Sequence, residues 1–452
     1  MLAVACRSKS AGNGGRPAGS ASVATEASAP PPAPPAPLVC NELGSSPALT
    51  VGQPQARPKP SEPEEEDDQE VELPFSVDLG AARASTDRFG VGGIQTRSGA
   101  SYAFLALVDA KGGGGQSLEL GRVFGEVDPP AVAPLGDRWL AVVADHDASS
   151  VVLRLFALAP PFDAASLRRG AEVGSARRDA AEFALETSGN GALLAFTKLE
   201  KGRGFIQLGK VDVDKLTLES SPVSVQSSEG EAESPRLARR DGGYFLAYIV
   251  RGAAARPKVV PRKQELDGGV ESLLDEGPTA IEVVPLDAKG VAIGTPRRAT
   301  PAGARVIAFD LVPAREGGAL LVYRDDRDGP GLDRSSAEAV HLRADGSLGT
   351  RTWELGESAG LPALLVDATP PAARPWAWLF ASSEHAAGLA ALSGDALTLG
   401  ELATEPRLSG AEVLAASGGR LLIGRARNGQ RDLSVVECKM NATAPKPLDG
   451  GI

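Results

Sequence analysis

Short apolar runs, each bounded by glycine or aspartate turns, recur along the chain. The clearest is Asp241–Val250, DGGYFLAYIV, where a Gly-Gly turn leads into a run of large apolar residues from Tyr244 to Val250. Related stretches lie at Ser98–Ala110, Gly136–Asp147, Gly189–Glu200, Gly317–Asp328, Pro375–His385 and Gly418–Gly429. Aligning Ala106, Ala141, Ala195, Ala247, Val322, Leu379 and Ile423 gives spacings of 35, 54, 52, 75, 57 and 44 residues. Runs this short between turn residues predict strands. Further apolar runs flank them. Ala131–Leu135, Pro235–Arg240 and Glu412–Ser417 precede three of the cores. Val151–Leu158, Phe205–Val211, Ala280–Leu286, Glu338–Arg343 and Leu433–Cys438 follow others. The turns in Leu286–Gly294 and Leu342–Gly349 lead on to an outermost strand, since Gly, Asn and Asp tolerate positive φ.

A strand-rich repeat of roughly 40–50 residues is the period of a β-propeller blade. The expected fold is therefore all-β, a seven-bladed β-propeller with four-stranded antiparallel blades over residues 73–440, after a disordered N-terminal tether. The cores read as continuous apolar runs because neighbouring blades cover both faces of a blade. Asp241–Val250 is expected to be the inner strand of the fourth blade, with Tyr244, Leu246 and Tyr248 packed between blades. A strand at Pro74–Leu79 is expected to complete the last blade and latch the ring. Arg251–Thr279 reads as a charged insertion, and Ala164–Ala184 as a short helix or irregular loop.

The amino end changes the picture. Ala3-Val4-Ala5-Cys6 resembles a bacterial lipobox, in which Cys6 is lipidated after signal cleavage; residues 1–6 then form a partial signal peptide. Residues 7–72 read as linker, first rich in Ser, Ala, Gly and Pro, then acidic. The run Glu62–Glu72 alone holds eight carboxylates. Such segments bury too little apolar surface to fold. Residues 441–452 form a C-terminal tail. No stretch approaches the roughly 20 apolar residues of a spanning helix. In an exported chain, Cys40 and Cys438 are a candidate disulfide tying the two ends of the folded region together; two free thiols are the other reading.

Net charge is −11, and no cationic cluster of the kind that displaces counterions from nucleic acid is present. Three cysteines and three histidines without close spacing exclude a structural zinc site. No cofactor is expected. The carboxylates of Asp325, Asp326, Asp328 and Asp333 could wrap Ca²⁺, although their spacing departs from the EF-hand loop. Asp145, His146 and Asp147 stand at the equivalent place in the second repeat, so both groups are candidate ligand-face loops together with Asp325, Asp326 and Asp328. Gly356–Gly360, GESAG, resembles the nucleophile elbow of carboxylesterases around Ser358. Prolines follow where that motif needs a helix, and no HGGG-type loop occurs, so an inter-blade loop is expected. Ala344–Trp353 is reminiscent of a sialidase Asp-box but lacks its serine and its glycine spacing.

By the layout of residues 1–40 and the repeat over 73–440, the chain resembles bacterial exported lipoproteins with a β-propeller domain of WD40- or sialidase-like architecture. The resemblance implies a cell-envelope address, lipid-anchored at the outer membrane or periplasmic, and otherwise secreted. It implies a monomeric, non-enzymatic binding scaffold for an envelope protein or a glycan, touching the membrane through its lipid anchor only. The alternative is a hydrolase with its site in the central cavity or the loops.

Overall fold

The computed structural model describes residues 38–440 apart from several internal stretches, the longest being 53–76, 253–277, 326–335 and 366–376. Every named element is a β-strand. The strands form seven antiparallel sheets built on one plan, four strands laid side by side, in chain order in all but the last. The second sheet shows it plainly: Ala131–Leu135, Arg138–His146, Val151–Leu158, then Leu167–Ala176. The fourth comprises Gly230–Arg240, Gly243–Gly252, Thr279–Asp287 and Arg297–Arg298. The first strands of successive sheets touch one another in turn. The series runs Arg83–Ala84, Ala131–Leu135, Phe183–Ser188, Gly230–Arg240, Val306–Pro313, Ala363–Leu365 and Ala411–Ser417, then returns to Arg83–Ala84. This is a β-propeller with four-stranded antiparallel blades. The sheet spanning Ala363–Thr404 is described by its strand pairing alone.

Burial explains the apolar runs. In Gly243–Gly252, Tyr244, Leu246, Tyr248 and Val250 pack against Leu193, Ala195, Ile206 and Leu208 of the third sheet. Phe245, Ala247 and Ile249 point the other way, onto Phe309, Leu311, Leu321 and Tyr323 of the fifth. Alternate residues of a strand face opposite sides, so a strand between two sheets is apolar at every position. Each such side chain contributes about 1.5–3 kcal/mol when fully buried. The stretch is the second strand of its sheet, however, and not the innermost. The strand before it, Gly230–Arg240, lies next to the axis.

Further expectations are corrected, while the candidate disulfide is present. Val77–Leu79 does not complete the last blade; it pairs with Arg88–Arg97 and opens the first sheet. The last sheet, Ala411–Ser417, Arg420–Arg427 and Gln430–Met440, takes its outer edge from Leu38–Leu43 and Leu49–Val51, inside the stretch read as linker. That pairing sets Cys40 opposite Cys438, and the two form a disulfide with a sequence separation of 398. Of Ala164–Ala184, read as a short helix or irregular loop, Leu167–Ala176 is the outer strand of the second sheet, and 177–181 lie outside the described residues.

Finally, the first core copy, Ser98–Ala110, contains the third strand of its sheet, while the other cores contain second strands. The second strand of the first sheet is Arg88–Arg97, RFGVGGIQTR. Its glycines hide it. A Cβ on Gly92 would stand 2.0 Å from the Pro130 carbonyl oxygen, and one on Gly90 would stand 2.3 Å from the Trp139 ring. Here the neighbouring sheet packs on bare backbone, so no side chains signal the burial. Of the expected insertion, Arg251 and Gly252 finish a strand and Thr279 begins the next; 253–277 lie outside the described residues.

Candidate active site at the mouth of the axial channel

The first strands run in one direction around the axis. The start of a first strand and the end of the second strand of the same sheet therefore lie at one end of the ring. Four carboxylates gather at that end. Asp78 lies in Val77–Leu79, Asp128 just before Ala131–Leu135, Glu182 just before Phe183–Ser188, and Glu412 at the second position of Ala411–Ser417. They come from four consecutive members of the ring, the seventh sheet followed by the first, second and third. Arg236 of the fourth sheet continues the arc.

Glu182 is the most firmly held. Its Oε2 accepts the Ser234 backbone N–H at 2.6 Å and the Thr197 hydroxyl at 3.1 Å, while Oε1 accepts the Ser234 hydroxyl at 2.6 Å. Ser234 adopts φ 54° directly before Pro235, where the register of Gly230–Arg240 slips. A non-glycine residue in this region costs of the order of 1–3 kcal/mol, and such outliers gather at functional sites. The unusual backbone turns both donors of Ser234 onto one carboxylate.

Asp128 is exposed at this end of the ring, although its carboxyl is partly enclosed. Burial pushes its carboxyl above the ordinary aspartate range, and the charges of Glu182 and Asp78 raise it further against the opposing pull of Arg236. Glu412 is raised in the same way, first by burial and then by Asp78, with Arg431 at 4.0 Å opposing. The arc thus sets a carboxyl that holds its proton more tightly than an ordinary aspartate beside a carboxylate pinned by three donors. Two acids in unlike environments are the usual arrangement for acid–base work.

The residues singled out in the sequence lie elsewhere. Asp145 and Asp325 each end or nearly end the second strand of their sheet, at the same end of the ring as the arc but one strand farther from the axis. Asp145 Oδ1 is buried without a hydrogen-bond partner. Asp325 is 1% exposed, and its Oδ1 accepts the Arg305 N–H at 2.9 Å. The His146 side chain, Asp147, Asp326, Asp328, Cys6 and Ser358 lie outside the described residues. Gly356 and Glu357 finish the strand Leu348–Glu357. Among the described residues no three His, Cys, Asp or Glu side chains are grouped to hold a metal ion. The arc itself went unread in the sequence. Its trace there is an acidic residue at or just before the opening strand of four successive sheets.

No family model and no curated protein matches the chain. Among solved structures it is similar to the polysaccharide lyase Uly1, at 10% identity over 79% of this chain and 89% of that one, with a TM-score of 0.51. An ulvan lyase matches at 10% identity over 78% and 90%, TM-score 0.49. The α-L-arabinofuranosidase Arb93A from Fusarium graminearum matches at 11% identity over 70% and 94%, TM-score 0.43. At these identities the likeness speaks for the fold. Uly1, the one of the three with a TM-score above 0.5, is named as an enzyme, and the expectation of a non-enzymatic binding scaffold is withdrawn. What this chain is similar to is an all-β propeller.

Proposed function

We propose that the protein is a glycan-cleaving enzyme, a glycoside hydrolase working at the strand-entry mouth of its axial channel. One observation carries the reading: Asp128, with its carboxyl raised by burial and by Glu182, stands in the same arc as the three-donor clamp on Glu182. Glycosidases pair a protonated carboxyl with a second carboxylate across the scissile bond. Asp128 gives its proton to the glycosidic oxygen as the C–O bond breaks. Glu182 takes a proton from the water that attacks the anomeric carbon. A lyase needs a base to remove a carbon-bound proton, and the arc offers no described histidine, lysine or tyrosine for that role.

The reading extends to architecture and address. We take the seven sheets as seven blades of one ring, the Ala363–Thr404 sheet included. Export to an oxidising compartment, with Cys6 as a lipid anchor, fits the Cys40–Cys438 disulfide.

The test is release of reducing ends from a panel of neutral and acidic polysaccharides, with ultraviolet absorbance followed in parallel. A lyase leaves an absorbing unsaturated product; a hydrolase does not. Asp128→Asn and Glu182→Gln should each lower kcat by about 10²–10⁴. Activity should fall as pH rises through the raised pKa of Asp128, because the acid form is the active one. Unchanged turnover in both variants, or an unsaturated product, would overturn the assignment.

A further inference from the structure

Beyond the arc the channel widens into a cavity of about 350 Å³, lined by first strands. Three of its charged groups, Arg83, Glu186 and Arg239, sit toward the opposite end. Arg83 pairs with Gly90, and Glu186 with Leu193, each two residues short of the hairpin to the second strand. Arg239 pairs with Tyr244, one residue short.

The cavity's acids and bases differ in what they touch. Each carboxylate has a local partner. Glu186 Oε1 accepts the Thr187 N–H at 3.1 Å, Asp310 Oδ1 accepts the Leu311 N–H at 2.8 Å, and Glu412 faces Arg431 at 4.0 Å. Burial also drives the Glu186 carboxyl upward, toward its neutral form, against the charges of Arg83 and Arg239. The two guanidiniums share the neighbouring Glu186 carboxyl as a charge but make few hydrogen bonds. Among the described residues Arg83 Nη1 donates only to the carbonyl of Ala82, at 3.2 Å. Arg239 makes no hydrogen bond or ion pair among the described residues. Both line a largely apolar cavity of the size that binds small ligands around a few convergent polar groups.

We propose that this far end of the channel is an anion site, in which Arg83 and Arg239 hold the carboxylate or sulfate group of an acidic saccharide. The planar fork of a guanidinium matches either oxyanion with paired N–H donors. That the ligand is a saccharide rests on the glycan-cleaving reading above; that it is an anion rests on the two arginines alone.

The experiment is calorimetric titration of the full chain with two matched pairs, oligogalacturonate against its methyl ester and short sulfated dextran against dextran. The acidic member of at least one pair should bind at least tenfold more tightly than its neutral partner, and which pair responds tells carboxylate from sulfate. Arg83→Gln and Arg239→Gln should each lose about tenfold or more in that affinity. Arg122→Gln is the control for non-specific attraction of polyanions, since Arg122 is exposed on an outer strand with its guanidinium over the Phe124 ring. Thermal melting confirms that each variant is folded. Asp128→Asn should keep anion binding while losing turnover, so the two readings fail separately. Equal affinity for both members of each pair, no binding at all, or an equal loss in Arg122→Gln overturns the anion site.

Discussion

The fourth and the last sheets share one plan but are held together differently. All four strands of the fourth come from Gly230–Arg298, joined in chain order. Its cohesion is side-chain packing: Tyr244, Phe245, Leu246, Ala247 and Tyr248 are each at most 2% exposed. The Tyr248 hydroxyl donates to Glu282 Oε2 at 2.9 Å, and the fifth sheet repeats the device with Tyr323 and Glu338. The last sheet is assembled from both ends of the folded chain, with Leu38–Leu43 laid on Gln430–Met440. Among the described residues its own core cluster has no aromatic side chain, and it includes both half-cystines. The polar ties across this junction, Arg425 to Glu42 at 2.9 Å and Thr50 to Asp432 at 2.6 Å, are partly open to water. A sheet continuous in sequence can rely on packing alone. The one that closes the ring must hold two distant segments together, and it does so with a covalent bond.

Three variants probe the contrast. Cys438→Ser should have the largest effect. The bridge closes a loop of 398 residues, and its loss should cost about 6 kcal/mol on the chain-entropy argument. In denaturant titration the variant, or the reduced protein, should show a lower midpoint with the N-terminal strand exchanging its amide hydrogens first. Unchanged stability would mean that strand pairing alone closes the ring. Phe245→Ala comes next, at about 3–4 kcal/mol for a fully buried phenyl group. Its loss should spread to the fifth sheet, on which Phe245 packs; protection lost only within the fourth sheet would contradict that coupling. Tyr248→Phe should cost the least, about 1–2 kcal/mol, by removing one hydrogen bond to a buried carboxylate. Thermal melting that fails to separate it from wild type would remove the Tyr–Glu bond from the account.

The same contrast explains what could be read in advance. Second and third strands of the middle sheets were legible, because burial on two faces demands apolar side chains at every position. Arg88–Arg97 was not, because Gly90 and Gly92 meet the second sheet with backbone. Leu38–Leu43 was not either: it is six residues long, carries Asn41 and Glu42, and follows a Pro-rich run. A strand is stabilised chiefly by its partner, and this partner lies about 400 residues away. The arc was the least legible feature. Asp78, Asp128 and Glu182 are 50 and 54 residues apart, each in an unremarkable local context.

By itself, then, the sequence determined the all-β propeller plan, the hairpin turns and the pairing of Cys40 with Cys438 as a candidate. Those follow from local rules, the apolar requirement of a strand buried on both faces and the φ freedom of Gly and Asp. Tertiary structure alone decided which strand faces the axis, which segment closes the ring and which carboxylates share the channel mouth. Each of these depends on contacts between residues far apart in the chain, and only the closed ring brings them within reach of one another.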